Sequence, residues 1–458
     1  MFEIDLKKYK KYDKPGPRYT SYPTAPQFNE KFTHRDFINE ILKTNAGKNL
    51  PGLSLYFHLP YCDTLCYFCG CNMLITRNRD RIREYIKYLQ KEIDLIKEYL
   101  SPGRKVTQHH WGGGTPTHLN PDEIDLLASY INNSFIFDEN PENSCEIDPR
   151  ELSKAHLEAL KINGFNRISM GVQDFNEDVQ KAVNRIQPED ITRQTVQWVR
   201  ELGFQSINLD LIYGLPLQTV DTFAKTVEKI IDISPDRIAV FNYAYVPWLK
   251  KHMSLIDEKD IPAPEVKLEI MKTTMEMLID AGYELIGMDH FAKPEDELAV
   301  ALNEKKLYRN FQGYSTNAGA DLYGFGITSI SQLNNIYAQN YKTEKEYYAA
   351  LDDRIIPTAK GYTLNEDDHV RREVIMRLMC DFELSFKKIE ERFNINFKEY
   401  FAAGLNNLKE MEKDGLLILT GDGIKVQDMG RLLIRNIAIN FDGYIERKED
   451  TARYSKTV

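Results

Sequence analysis

Four of the six cysteines in this 458-residue sequence fall in one stretch, Tyr61-Cys62-Asp63-Thr64-Leu65-Cys66-Tyr67-Phe68-Cys69-Gly70-Cys71. Cys62, Cys66 and Cys69 have a C-x3-C-x2-C spacing, and Cys71 follows two residues later. Cys145 and Cys380 stand alone. A disulfide framework does not suit short spacings in a large, otherwise cysteine-poor chain. A structural zinc site draws paired ligands from two separated places, and no second pair is present. An iron–sulfur cluster held by three thiolates fits best, because [4Fe–4S] clusters take cysteine ligands and three of them leave one iron open. Zinc or a redox pair is the rival reading. Cys71 is extra to the three-ligand requirement; a small buried hydrophobe is its ordinary reading, and a role in handling protons or electrons is the functional one.

The elements that must position these thiols repeat. Ser54–His58 is strand-like and leads straight into the cysteines. Further strand candidates are Val106–Trp111, Cys145–Ile147, Arg167–Val172, Ser206–Ile212 and Arg237–Tyr243, with Tyr283–Met288 as a seventh. Helical periodicity separates them at Asp80–Tyr99, Pro121–Asn132, Glu151–Asn163, Asn176–Asn184, Pro188–Leu202, Thr219–Ile231 and about 264–281. Strand–helix alternation at this spacing is the βαβ signature. It predicts an α/β fold, a barrel or partial barrel of parallel strands, whose chemistry lies at the C-terminal strand ends. There stand Gly112-Gly113-Gly114-Thr115, expected to offer bare backbone to a ligand, and also Glu146, Gln173 and Asp210. Asp210 lies in an apolar strand, where an unpaired carboxylate is costly; Arg185, near a helix end, has a dipole-capping reading.

Residues 1–50 read as an irregular polar leader. Its Gly16–Pro23 segment cannot be a helix interior; a surface strap packing its tyrosines on the main body is the ordinary reading, and a segment across an active-site mouth with Arg18 offered to an anion is the functional one. Residues 51–295 form the repeat and 296–360 a connector of loops and short strands. Residues 361–458 form a smaller, mainly helical domain. In it, an amphipathic Phe397–Lys413 and a hairpin about Gly421-Asp422-Gly423 suggest a winged-helix-like layout.

Composition limits the partners. The sequence is 42% hydrophobic and 28% charged, ordinary for a soluble globular protein, with a formal net charge of −10. That balance disfavours nucleic acid as a partner and requires local cations for any anionic substrate. Met1–Lys14 has no apolar signal core, and no apolar run approaches the ~20 residues of a membrane span. A cytoplasmic, membrane-free protein acting as a monomer is expected.

The cysteine spacing directly after a first strand resembles that of radical S-adenosylmethionine enzymes. The chain further resembles the oxygen-independent coproporphyrinogen III dehydrogenases of haem (porphyrin) biosynthesis. That resemblance rests on Pro17-Arg18-Tyr19-Thr20-Ser21-Tyr22-Pro23-Thr24, Cys69-Gly70-Cys71-Asn72, Trp111-Gly112-Gly113-Gly114-Thr115-Pro116-Thr117, Glu146-Ile147-Asp148-Pro149-Arg150 and Asn166–Phe175. It extends through Asp210-Leu211-Ile212-Tyr213-Gly214-Leu215-Pro216, Gly287–Phe291 and Asn310–Tyr314. The resemblance implies a partial (β/α)6 TIM-like radical SAM barrel, a [4Fe–4S] cluster and two S-adenosylmethionine molecules. It also implies oxidative decarboxylation of two propionates of coproporphyrinogen III to vinyl groups, with an external electron donor and acceptor. By the same resemblance Cys62, Cys66 and Cys69 hold the cluster. Tyr56, Phe68, Gly113 and Glu146 contact the cluster-bound S-adenosylmethionine, with Ile330 nearby. Gly114, Thr115, Gln173, Arg185, Asp210 and Ala244 hold the second. Cys71 and Tyr56 are the catalytic candidates, and Gln312 and Tyr314 weaker substrate contacts. A haem chaperone of the same superfamily is the main rival; Cys71, the strap and the long C-terminal domain argue against it. A zinc-bearing winged-helix regulator is a second rival.

Overall fold

The computed structural model describes residues 5, 10–12 and 14–445, so the outer ends of the expected strap and C-terminal domain lie outside the described residues. One twelve-stranded sheet dominates the rest. Its strands are β1 (Leu53–Leu59), β2 (Lys105–Gly113), β3 (Ile136–Ile147), β4 (Arg167–Gln173), β5 (Ser206–Tyr213) and β6 (Arg237–Asn242). They continue with β7 (Glu284–Gly287), β8 (His290–Ala292), β9 (Asp321–Phe325), β10 (Ile330–Leu333), β11 (Ile336–Asn340) and β12 (Thr358–Thr363). The spatial order is β12-β11-β10-β9-β1-β2-β3-β4-β5-β6-β8-β7. From β9 through β6 neighbouring strands are parallel. The order has two free ends, so the barrel is partial.

Between the parallel strands lie α1 (Arg79–Lys97), α2 (Pro121–Ser134), α3 (Lys154–Ile162), α4 (Glu189–Glu201) and α5 (Val220–Ile233). Each forms for local reasons. Asn78 caps α1 by accepting from the Asp80 and Arg81 amides, and Ile82, Tyr85, Ile86, Leu89, Ile93 and Ile96 make its buried stripe. Asn120 and Glu123 form a reciprocal capping box on α2. The inner faces of the strands alternate. In β5, Ile207, Leu209, Leu211 and Tyr213 are buried while Asn208, Asp210 and Ile212 are only partly so. Ser169, Gly171 and Gln173 repeat the pattern in β4. Period-2 alternation thus gives the sheet an apolar face and a face that can carry polar groups.

Four expectations change. The seventh strand does form at β7, but β8 lies between it and β6 and pairs antiparallel with both. The true parallel neighbour completing that side of β1 is β9, which comes after the repeat ends. The leader is not wholly irregular: His34–Asn45 is a helix. Thr33 and Asp36 cap it, and Phe37 and Ile41 bury one face at i, i+4 spacing. Phe397–Lys413 is broken at Phe401 into two helices, where Phe397 and Phe401 turn into a cluster with Phe441. The C-terminal part also gains a strand. After helix α6 (Glu366–Asp381), β13 (Glu383–Ser385), β14 (Leu417–Leu419) and β15 (Gly423–Val426) form an antiparallel sheet in the order β13-β15-β14. Helices between β13 and β14 complete a winged-helix-like arrangement. No helix among the described residues is long and apolar enough to cross a membrane.

A buried ion pair fastens β9 to its place. Arg104, just before β2, donates to Asp321 at 2.7 Å and to the Pro51 carbonyl at 3.0 Å. The two charged side chains are 1% and 5% exposed. Removing one partner strands a buried charge, so Asp321→Ala should cost about 3–5 kcal/mol in denaturant unfolding. The Arg104→Met/Asp321→Leu pair should recover most of that loss.

Candidate active site

The site lies at the C-terminal ends of β1–β5, where the chain leaves β1 and turns into the cysteines. Its geometry begins with glycine. The Gly114 amide donates to the Leu59 carbonyl at 2.8 Å, and the Thr115 amide to that of Tyr61 at 2.9 Å. A Cβ on Gly114 would sit 2.5 Å from the Pro60 oxygen. A Cβ on Gly113, whose φ is +117°, would enter the His58 ring at 2.7 Å. The glycine run is therefore sized first by the end of β1 packed on it, and the expectation of bare backbone for a ligand is narrowed to Gly114 and Thr115, which line the cleft. Cys62 is drawn in by the same contact, its Sγ 3.2 Å from the Thr115 hydroxyl.

One cleft gathers Cys62, Cys66, Phe68, Cys69, Cys71, Gly114, Thr115, Glu146, Gln173, Arg185 and Asp210. Tyr56, Gly113, Ala244 and Ile330 are not on its wall. Tyr56 lies behind it, stacked on His110 with centroids 5.8 Å apart, its hydroxyl 3.1 Å from His58 Nδ1. Gly113 donates its amide to Glu146 at 3.2 Å. Ile330 packs its backbone against Gly324, which is level with Tyr56 across the β1–β9 pair. Ala244 follows Tyr243, whose amide donates to the Tyr213 carbonyl.

Charge in the cleft is arranged. Arg150 grips Asp148 through Nε and Nη2, and Arg185 Nη1 donates to the same carboxylate at 3.0 Å. Burial works against ionisation of Asp148, but the two guanidiniums hold its carboxyl at about 2. Both arginines also point N–H groups at Cys66 Sγ, at 3.5 and 3.7 Å. Burial pushes the Cys62 thiol up to about 12. A hydrogen bond from Cys71 brings Cys69 down to about 6 and drives Cys71 itself upward. Desolvation in the cleft works against ionisation of Glu146, whose side chain is partly exposed, yet His110 and the Gly113 amide hold its carboxyl below the usual value. Burial also raises the Tyr56 phenol, with Glu146 adding to it. The loop after β6 closes the outer side, where His252 Nε2 lies 2.7 Å from the Cys69 carbonyl and Lys250 donates to that of Cys71.

The Glu146–Arg150 motif brings two further residues into the site, Asp148 and Arg150, for which the signal in the sequence is their place just past a strand end. His58, His110, Ser169 and Asn208 were missed; strand register places them, and no local motif does. The strap arginine moves the other way. Arg18 is committed to Asp289 and lies over the Phe241 ring, 5.6 Å from its centroid. Tyr314 donates to the Met379 carbonyl inside the fold. Gln312 keeps both amide atoms buried and without a partner among the described residues.

The residues present fit an iron–sulfur cluster with an organic cofactor beside it. Among the described residues no three His, Cys, Asp or Glu side chains are close enough to share one metal ion. Three thiols spread around a cleft suit a cube in which each binds a different iron. Gln173 Oε1 and Arg185 Nε are buried and without a partner among the described residues, as expected of groups that complete their bonds with a ligand.

Asp210 gives a test. Burial raises its carboxyl to about 7, against the Asn208 hydrogen bond that lowers it. A carboxyl raised on folding contributes stability below its unfolded value near ~4, and that stability is lost as pH rises through about 7. Cofactor-free Asp210→Asn should therefore be more stable than the parent at pH 8 by a few kcal/mol, with the gap closing toward pH 4 in urea unfolding followed across pH.

Comparison with known proteins agrees with this geometry. Residues 56–230 match the radical SAM superfamily model and residues 364–433 the HemN C-terminal domain model. The oxygen-independent coproporphyrinogen III oxidase of Synechocystis sp. is 47% identical over 460 residues, covering 100% of this chain and 98% of that relative. The Helicobacter pylori (strain J99) protein of the same name is 45% identical and fully covered by the match. The solved coproporphyrinogen III oxidase (HemN) from Escherichia coli, described as a radical SAM enzyme, superposes with a TM-score of 0.92 at 44% identity. That match covers 97% of this chain and 100% of the other. With a partial barrel, three thiols at its mouth and similarity along its whole length, the chain belongs to the oxygen-independent coproporphyrinogen III oxidase family of radical SAM enzymes.

Proposed function

We propose that this protein carries out the anaerobic oxidative decarboxylation of two propionate side chains of coproporphyrinogen III to vinyl groups, giving protoporphyrinogen IX. The observation that carries the reading is the single cleft joining Cys62, Cys66 and Cys69 to Glu146, Gln173 and Asp210 at the strand ends. When bound, the [4Fe–4S] cluster and S-adenosylmethionine supply an electron and a 5′-deoxyadenosyl radical able to take a hydrogen atom.

The chain's own residues do the rest. Cys62, Cys66 and Cys69 would hold the cluster as its thiolate ligands. Glu146, kept ionised by His110 and the Gly113 amide, accepts from the ammonium or ribose of the first S-adenosylmethionine. Phe68 provides an apolar wall for the adenine, and Tyr56 and Ile330 support that side. Gly114, Thr115, Gln173, Arg185, Asp210 and Ala244 surround the second molecule. A cationic group of a bound S-adenosylmethionine beside Asp210 would favour its ionised form, because an opposite charge at close range offsets desolvation. Cys71, protonated and facing the cleft, is a proton or electron relay during turnover. Gln312, whose amide atoms are buried and without a partner among the described residues, is the weaker candidate for a substrate contact. The repeat of 51–295 and the strands that 296–360 adds to the same sheet form the working barrel, with the leader of 1–50 as its strap and 361–458 as its cap. The work is done in the cytoplasm, with one external partner donating the electron and another accepting the one released with CO2.

Anaerobic loading with iron and sulfide should give absorbance near ~400 nm. Adding S-adenosylmethionine and coproporphyrinogen III should then yield deoxyadenosine, CO2 and vinyl product. Loaded protein that forms neither deoxyadenosine nor CO2 contradicts the proposal. Cys62→Ala should lose the cluster. Cys71→Ser should keep its iron and lose at least about tenfold in turnover, roughly 1.4 kcal/mol of transition-state stabilisation; full turnover would remove Cys71 from the mechanism.

A further inference from the structure

Resting on that reading, we propose that Arg150 sets the reduction potential of the cluster through its charge and its N–H contact to Cys66, with Asp148 as the opposing control. Cys66 is 7% exposed and therefore the most enclosed of the three ligands. Two guanidinium groups reach its sulfur, Arg150 Nη2 at 3.5 Å and Arg185 Nη1 at 3.7 Å. The arrangement is built, not incidental. Arg150 is held as a fork on Asp148 by its Nε and Nη2 groups, at 3.0 and 2.6 Å. Arg185 is fixed from the other side by the Gly171 carbonyl at 2.7 Å. Both arginine side chains are largely buried, at 17% and 8% exposed.

The electrostatic sign follows from this set. Two guanidiniums against one carboxylate leave a net positive charge beside a thiolate ligand in a partly desolvated cleft. An electron arriving from an external one-electron donor adds a negative charge there. Positive charge and N–H donors to sulfur stabilise the reduced state more than the oxidised one and so raise the potential. Asp148 moderates the effect while holding Arg150 in place. Arg150 acts through Cys66 and is a positioning and tuning residue; it is not placed among the groups that contact S-adenosylmethionine or substrate.

The test is a redox titration with dithionite, followed by electron paramagnetic resonance, on cluster-loaded full-length protein. Arg150→Met should make the midpoint more negative by at least a tenfold change in the reduced-to-oxidised ratio, ~59 mV for a one-electron couple. Arg150→Lys keeps the charge but not the fork and should shift it less. Asp148→Asn removes the opposing charge and should move the midpoint the other way. Unchanged midpoints in Arg150→Met and Asp148→Asn, or shifts of the same sign, overturn the proposal. If Arg150→Met does not hold its cluster, Asp148→Asn decides alone. Loss of the cluster from both variants also overturns it, because the pair then only anchors the loop. Iron, sulfide and deoxyadenosine formation in the parent are measured alongside. A parent without a cluster refutes the functional reading, whereas a loaded parent whose variants do not shift refutes only the role of Arg150.

Discussion

The close approach of the Gly112–Thr115 run to the end of β1 is the constraint on which the site depends. At that crossing the Gly114 and Thr115 amides reach the Leu59 and Tyr61 carbonyls, and no side chain fits between. The contact fixes where the chain leaves β1, and so fixes Cys62 opposite Thr115. It also turns the Gly113 amide toward Glu146, on the next strand but one from β1. A bulkier residue at Gly114 would have to move Pro60 backbone, not a flexible side-chain tip. Small residues are needed here because packing admits nothing larger.

Around that crossing the protein places charges that the bulk composition does not suggest. A chain with a formal net charge of −10 surrounds Cys66 with two guanidiniums. It also keeps one cleft carboxyl, Glu146, ionised, while burial holds another, Asp210, near neutral pH. Neighbouring groups explain the difference. Glu146 has a histidine and a backbone amide directed at it; Asp210 has one amide hydrogen bond and feels the field of Glu146 itself. Two carboxyls on adjacent inner rows thus have different proton affinities without any difference in chemistry.

The described parts of the strap and of the C-terminal domain are tied to each other and to the barrel edge. Arg435, in the C-terminal helices, donates to the Gly16 and Pro17 carbonyls of the strap, and the Gly443 amide donates to Tyr22. Arg18 meets Asp289 beyond β7, and Arg309 reaches the Arg18 carbonyl. Strap, barrel edge and C-terminal helices therefore share a hydrogen-bonded seam. This commits Arg18 to an internal partner, in place of the free anion contact that its position beside two prolines suggested.

The sequence alone determined the thiol cluster, the βαβ alternation and the concentration of polar residues at strand ends. These are local properties: spacing along the chain, period-2 and period-3.6 hydrophobicity, and turn residues. It also carried the family resemblance, because Trp111–Thr117 and Glu146–Arg150 are contiguous motifs. Only the tertiary structure decided which strand completes the parallel set beside β1. Asp321–Phe325 comes more than two hundred residues after β1, and nothing local marks a pairing over that distance. The structure likewise decided that Tyr56, His110 and Ser144 stand level on neighbouring strands. It also decided that Arg150 and Arg185, apart in sequence, meet at one sulfur. Register and long-range packing set those contacts, and neither leaves a periodic trace in the chain.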